Sequence, residues 1–338
     1  MEVRKLQRLG RTYSVSLPPN WVKENKLKPS DQITLTIEEE GSLRLVPGII
    51  LEKKEELKTT IDVDRYKDHG PLERLIVASY IRGYDIIEIV SKHTISENYR
   101  KEIQGVIGSL LGLGIVESTS NRVMLQSVVD SAKFPLKPLL KRLCGLVSSM
   151  LEDAMQALND RDLSLAAGMI QQENWINKIY VLLQRQIAAA AFDKTILKKI
   201  ELGGVPDITL YTSILPRIKS ITENALDIAN NQLAIGQKEV GDSDLQKIIR
   251  LGKNMHEIVC NACEAFFNED VVLANRTVES IPRVEETEVE LINKLSSRIK
   301  DPDVVKRLSY IIRDMRRIAG QGKAIAEIAI IGSVYHKS

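Results

Sequence analysis

Cysteine, histidine and aromatic residues are all scarce in this 338-residue chain, which holds three cysteines, four histidines and 4% aromatics. Cys144, Cys260 and Cys263 are too few and too unevenly placed to form a disulfide framework, so a reducing compartment is expected. Long apolar runs are missing as well. Even the stretch Ala324 to Val334 is entered through Lys323 and interrupted by Glu327, short of the roughly 18 uncharged residues a membrane span requires. The start, Met1-Glu2-Val3-Arg4-Lys5, carries charge where a secretory leader would be apolar. These absences predict a cytoplasmic protein with no membrane insertion. Charge of one sign is lacking too: 47 lysines and arginines face 45 aspartates and glutamates, a net charge of +2. Any surface that binds nucleic acid or another polyanion must therefore be local.

Catalytic signals are equally thin. His69, His93, His256 and His336 have no serine or cysteine nucleophile in a triad-like setting. Gly108-Ser109-Leu110-Leu111-Gly112-Leu113-Gly114 lacks the Lys-Ser/Thr ending of a phosphate loop and follows a helical pattern, so it reads as a helix end with glycine turns. Gly320-Gln321-Gly322-Lys323 lacks the spacing of a nucleotide loop. His256, Cys260 and Cys263 fall on one side of a helix, but the first and last lie about 10.5 Å apart along its axis, too far to share one ion. Small thiols packed in a helix interior are expected there. Trp175 and Tyr180 are expected in a bundle core or an interface. Neither an enzyme nor a resident cofactor is expected.

The length predicts two or three domains with sizeable cores. Residues 1–51 alternate with the period of two of half-buried strands: Tyr13 to Leu17, Gln32 to Ile37 and Ser42 to Val46. Pro18-Pro19-Asn20 leads into a short helix, Trp21 to Asn25, and Leu27-Lys28-Pro29-Ser30-Asp31 turns the chain. Glu40-Gly41 reads as a hairpin tip. Such a segment is too small to bury its strands alone, so a homodimer is expected.

The order Leu9-Gly10, Tyr13 to Leu17-Pro18, Trp21-Val22, Leu27 to Ile33 and Gly41-Ser42-Leu43-Arg44-Leu45 resembles the swapped-hairpin domain of the AbrB/SpoVT family over about 45 residues. The resemblance implies two chains interleaved into one small β-barrel, with DNA bound through basic residues near the first strand. In this sequence Arg4, Lys5, Arg8 and Arg11 occupy that stretch, followed by Lys23, Lys26 and Lys28. Only Glu2 and Glu24 offset them before Asp31. Clustered cations suit phosphate contacts, because each neutralised phosphate releases condensed counterions. A solvated basic face on a domain used for dimerisation alone is the alternative.

Glu52 to Lys58 is a charged connector. Residues 59–130 then alternate strand (Thr59 to Val63), helix (Leu72 to Ile81), strand (Asp85 to Val90), helix (Glu97 to Leu111) and two strands (Ile115 to Ser118, Val123 to Ser127), the pattern of a small α/β domain. It suits a regulatory ligand domain or a spacer.

Residues 131–338 are helical, with apolar positions three and four apart, as in Leu139, Leu143, Leu146, Val147, Met150 and Ala154. Six helices are predicted, near 136–159, 162–193, 207–235, 243–268, 270–300 and 302–332. They form two repeats, about 136–235 and 243–332. Ala154-x-x-Ala157-Leu158-Asn159-Asp160-Arg161-Asp162-x-x-Leu165-Ala166 returns as Ala262-x-x-Ala265-Phe266-Phe267-Asn268-Glu269-Asp270-x-x-Leu273-Ala274. Glu173-x-x-Ile176 returns as Glu286-x-x-Val289 after five extra residues around Pro282, which predicts a kink or bulge there. Ile221 to Ala229 corresponds to Ile318 to Glu327.

This half resembles the PhoU phosphate-uptake regulator family, in which two three-helix bundles pack side by side. The whole chain is then a multidomain, mainly α protein, and its combination of domains resembles an archaeal arrangement. The resemblance implies a regulator of phosphate uptake or phosphate-responsive transcription, with partners in DNA and in the cytoplasmic subunit of a phosphate ABC transporter or a signalling protein. It also implies iron or zinc held by acidic pairs four residues apart on the third helices. Those positions hold Lys219 and Glu223, with Asp227 one turn on, in the first repeat, and Arg316, Gly320 and Ala324 in the second. Glu223 and Asp227, with Glu173 from the neighbouring helix, are the remaining metal candidates, and a cation beside them opposes metal binding. The rival readings are a metal-binding helical-bundle sensor and a transporter adaptor that never touches DNA.

Overall fold

The computed structural model describes residues 3–37, 41–48, 56–66, 71–130, 133–236, 238 and 240–335. Glu2, the tip residue Glu40, the connector residues Glu52 to Glu55, His69 and His336 lie outside them. The chain divides into two units, Met1–Glu55 and Glu56–Ser338.

The first unit holds two antiparallel hairpins. β1 (Gln7–Leu9) pairs with β2 (Thr12–Ser14), and β3 (Ile33–Ile37) with β4 (Leu43–Pro47). Between the hairpins lies the short helix α1 (Pro19–Glu24). The expected barrel is not closed by these strands, which form two separate two-stranded sheets. Two hairpins expose more strand edge and face than one chain can cover, and no described residue of this unit is buried.

The second unit begins with a four-stranded sheet in the order β5-β6-β8-β7. β5 (Lys58–Asp62) runs parallel to β6 (Ile86–Val90), and β8 (Arg122–Ser127) is antiparallel to both β6 and β7 (Leu113–Ser118). The parallel pair requires a crossover, supplied by α2 (Pro71–Arg82). α3 (Glu97–Ser109) starts where Ser96 accepts a hydrogen bond from the Tyr99 amide. It ends at the glycine turn that was expected: Gly112 sits at φ +70°, and a Cβ there would collide with the Val129 side chain. Ile61, Leu72, Ile76, Tyr80, Ile87, Ile103 and Leu125 fill the core of this layer.

The helices α4 (Leu136–Asp160), α5 (Leu163–Ala190) and α7 (Val205–Ile235) make the first repeat, with a short α6 (Lys194–Lys199) between the last two. α8 (Asp242–Asn268), the pair α9 (Val271–Glu279) and α10 (Ile281–Arg298), and α11 (Pro302–Tyr335) make the second. Six helices were expected, and the break falls at the predicted Pro282 region. Proline near the start of α10 lacks the amide hydrogen a continuous helix would use.

The repeated turn has a common physical cause. Arg161 and Glu269, at equivalent positions, adopt the left-handed conformation with φ of 54° and 55°. The next amides, of Asp162 and Asp270, bond back to the carbonyls of Ala157 and Ala265 at 2.9 and 3.0 Å. The Asp162 and Asp270 carboxylates then cap the following helices by accepting from Leu165 (3.1 Å) and Leu273 (2.9 Å) amides. The alanines of the motif, Ala154, Ala157, Ala166, Ala262, Ala265 and Ala274, are fully buried and let the helices approach closely. Among the described residues, no helix is long and apolar enough to cross a membrane.

The α/β layer is anchored to the first bundle by Arg185 of α5, whose side chain is 3% exposed. Its guanidinium donates to the carbonyls of Tyr80 (2.6 Å), Tyr84 (2.9 Å) and Gly83 (3.3 Å) and pairs with Asp85 Oδ1 at 3.2 Å. It also stacks on the Tyr80 ring, 4.8 Å from the centroid. Val181, one turn earlier on α5, belongs to the core of the α/β layer.

Candidate functional site

The acidic positions on the third helix of the first repeat surround a lysine. Lys219 Nζ, on α7, lies 2.8 Å from Glu173 Oε1 of α5 and 3.9 Å from Glu223 Oε1. Lys219 and Glu173 are each 21% exposed, so the ammonium neutralises a half-buried carboxylate. The second repeat copies the device: Arg316 Nε of α11 lies 3.0 Å from Glu288 Oε2 of α10. Both repeats therefore join their third helix to their second by a cation and an acid.

Asp227 belongs to a different neighbourhood. Its charge acts on Asp314, a carboxylate of α11 that is almost fully buried. Burial pushes the Asp314 pKa up to about 6, the Arg317 guanidinium at 3.0 Å opposes that, and Asp227 adds to it. The sequence signal for Asp314 is an acid between Ile311, Ile312, Met315 and Ile318, all buried, which breaks the apolar period of α11. Among the described residues, no group of three or more His, Cys, Asp or Glu side chains is placed to hold a metal ion. Glu223, Asp227 and Glu173 thus do not assemble into the iron or zinc ligand set that the resemblance implied. Lys219 pairs with Glu173 and reaches Glu223, while the charge of Asp227 acts on Asp314.

In the first unit, Arg4 and Lys5 precede β1, Arg8 lies on β1, and Arg11 follows Gly10 in the β1–β2 turn. All four side chains are exposed. Arg8 stands opposite Tyr13 in the register and donates from Nε to the Gly10 carbonyl at 3.1 Å. The β3–β4 register pairs Ile33 with Pro47, Leu35 with Leu45 and Ile37 with Leu43, so one face of this hairpin is wholly apolar. Leu35, Ile37 and Leu43 are 62%, 75% and 59% exposed in the single chain. An apolar face of this kind calls for a cover.

On the first bundle, Trp175 is not a core residue: it is 59% exposed. It lines a shallow hollow of about 260 Å³ with Arg142, Leu146, Gln172, Ile176 and Ile179, and Lys178 Nζ lies 4.7 Å from its ring centroid.

A sequence profile described as the PhoU domain matches this chain twice, over residues 140–231 and 248–329, more than half its length. The chain belongs to the PhoU family. The two matched PhoU segments coincide with the two helical repeats. A further profile, antidote-toxin recognition MazE, bacterial antitoxin, matches residues 6–56. The phosphate-specific transport system accessory protein PhoU homolog 1 of Thermotoga maritima is 24% identical over 204 residues, covering 58% of this chain and 84% of the relative. PhoU from Pseudomonas aeruginosa superposes with a TM-score of 0.52 at 20% identity, covering 60% of this PhoU-family chain and 96% of the other. The phosphate transport system regulatory protein PhoU from Streptococcus pneumoniae gives 0.50 at 17% identity, with 58% and 94% covered. These structures share the helical fold.

Proposed function

We propose that this PhoU-family protein regulates phosphate uptake or phosphate-responsive transcription as a non-enzymatic, cytoplasmic homodimer. Its N-terminal unit contacts DNA phosphates through Arg4, Lys5, Arg8 and Arg11. Its bundles contact a cytoplasmic subunit of a phosphate ABC transporter or a signalling protein. The observation that carries the reading is the presence, in one chain, of two PhoU repeats and an antitoxin-type unit with an uncovered apolar hairpin face and four exposed cations. A second copy of the chain covers that face, and the paired units double the positive charge offered to a duplex. The relatives named as transport accessory and regulatory proteins support a phosphate transport partner. Trp175 and Arg142, which line one hollow, are residue types that dominate protein interfaces. A partner that prefers one state of the bundles shifts DNA occupancy by its differential affinity for that state.

The test is DNA binding as a function of salt. Replacing Arg4, Lys5, Arg8 and Arg11 by glutamine in a chain that keeps its fold lowers affinity and flattens the salt dependence, each lost phosphate contact removing a slope of about 0.9 per chain. Unchanged affinity and slope refute DNA contact by these residues. Absence of any salt-dependent binding by the unaltered protein leaves the transporter adaptor as the function.

A further inference from the structure

The three cysteines divide into two environments. Cys144 of α4 and Cys263 of α8 are both buried. Cys260, one turn before Cys263, is half-buried and meets other chemistry. α4 and α8 are the opening helices of the two repeats and pack against each other. Ser148 and Glu152 stand one turn apart on α4, and His256 and Cys260 one turn apart on α8. The four side chains converge. His256 Nε2 lies 2.8 Å from Ser148 Oγ, 3.4 Å from Cys260 Sγ and 3.5 Å from Glu152 Oε1, and Ser148 Oγ lies 3.4 Å from Cys260 Sγ.

An imidazolium and a thiolate satisfy these distances together. Nε2–H donates to Ser148 Oγ and is shared with Cys260 Sγ, while the Ser148 hydroxyl donates to the sulfur. Glu152 stabilises the imidazolium. The hydrogen bond from His256 holds the Cys260 pKa below that of an ordinary thiol, against burial and the Glu152 charge. The hydrogen bond to Cys260 raises His256 in turn, with burial opposing and Glu152 assisting. Cys144 is pushed well up by its hydrogen bond to Cys263 and by burial. Among the described residues there is no three-ligand metal set to claim this cluster.

We infer that Cys260 is a reactive thiol, a site of modification by hydroperoxides at the seam between the two bundles. The Cys260 thiolate attacks the terminal oxygen of the peroxide, so that an S–O bond forms and the O–O bond breaks. The departing hydroxide or alkoxide takes the proton of the His256 imidazolium. Sulfur is oxidised by two electrons and the peroxide is reduced to water or an alcohol, leaving a Cys260 sulfenic acid and neutral His256. The charge pair that joins α8 to Ser148 of α4 is lost in that step. The oxidation state of one sulfur thereby acts on the contact between the repeats.

The test uses the full-length reduced protein, titrated with hydrogen peroxide in the presence of dimedone and mapped by mass spectrometry, with parallel iodoacetamide labelling from pH 5.5 to 9. The dimedone adduct is expected on Cys260. At pH 7 its alkylation should outpace that of Cys144 and Cys263 at least about fivefold, as a thiolate fraction raised by a lowered pKa requires. His256→Gln should move the midpoint of Cys260 alkylation upward and slow it several-fold at pH 6.5. Equal rates at the three thiols, or a sulfenic acid trapped elsewhere, overturn the proposal. So does an unmoved midpoint in folded His256→Gln. The midpoint of Cys260 alkylation in the unaltered protein needs no variant and decides the matter if His256→Gln does not fold: a midpoint below that of an ordinary thiol supports the proposal, and one at or above it overturns it.

Discussion

Lys219 Nζ of α7 rests 2.8 Å from Glu173 Oε1 of α5. The ammonium and the carboxylate are both largely withdrawn from solvent. Lys219→Glu places carboxylates at 219 and 223, four residues apart, beside Glu173. Purified Lys219→Glu protein should then bind iron or zinc in near-stoichiometric amount, measured by inductively coupled plasma mass spectrometry, and more tightly than the unaltered chain. It should also lose on the order of 1 kcal/mol of metal-free stability, because a compensated charge becomes an uncompensated one. Equal metal content in the two proteins contradicts the role given to Lys219.

Asp314 supplies a pH dependence with a definite sign. Its folded pKa of about 6 lies above the ordinary carboxylate value of 3.8. The folded state therefore holds the proton more tightly, and the contribution of Asp314 is most favourable below pH 4 and is lost as pH rises to about 6. The tighter hold on the proton corresponds to roughly 3 kcal/mol at neutral pH. Asp314→Asn should raise the midpoint of thermal unfolding at pH 7.5 and have little effect at pH 4. The difference between variant and parent should grow across that interval in differential scanning fluorimetry. A difference that is flat with pH removes Asp314 as its source.

Arg185 is the anchor between the sheet layer and α5, so its loss leaves the Tyr80, Gly83 and Tyr84 carbonyls and Asp85 without it in a largely buried site. Arg185→Met is expected to cost about 3 kcal/mol in urea unfolding. Protection of β6 amides from hydrogen exchange should fall more than that of α11. A loss under 1 kcal/mol shows that water replaces the guanidinium at little cost.

The apolar face of the β3–β4 hairpin predicts that two chains associate through it. A Leu35→Asp, Ile37→Asp double replacement should convert a dimer to a monomer in light scattering coupled to size-exclusion chromatography, while the helical circular dichroism is retained. An unchanged molar mass contradicts association through this face.

Most of the architecture was legible because it follows from periodicity and local chemistry. The six helix ranges, the turn capped by Asp162 and Asp270, and the break near Pro282 are written in residues close in sequence. The Arg185 anchor was not legible, and for Asp314 only the break in the apolar period of α11 was. The Arg185 anchor depends on which face of α5 meets the sheet layer 100 residues earlier in the chain, and Asp227, which acts on Asp314, comes from the other repeat. Cys260 and His256 were legible as a one-turn pair, yet Ser148 and Glu152, which complete the cluster, come from the other repeat. The unclosed barrel has a similar origin: its alternation is clear in the sequence, but the surface that would cover it belongs to no residue described in one chain.

The proposed link between phosphate status and DNA through this PhoU-family protein is open to measurement in cells. Genome-wide mapping of the DNA bound by the protein in cells grown at high and at low phosphate tests it most directly. Enrichment near phosphate transport genes that changes with phosphate supply is the expected result. No enrichment in either condition contradicts it.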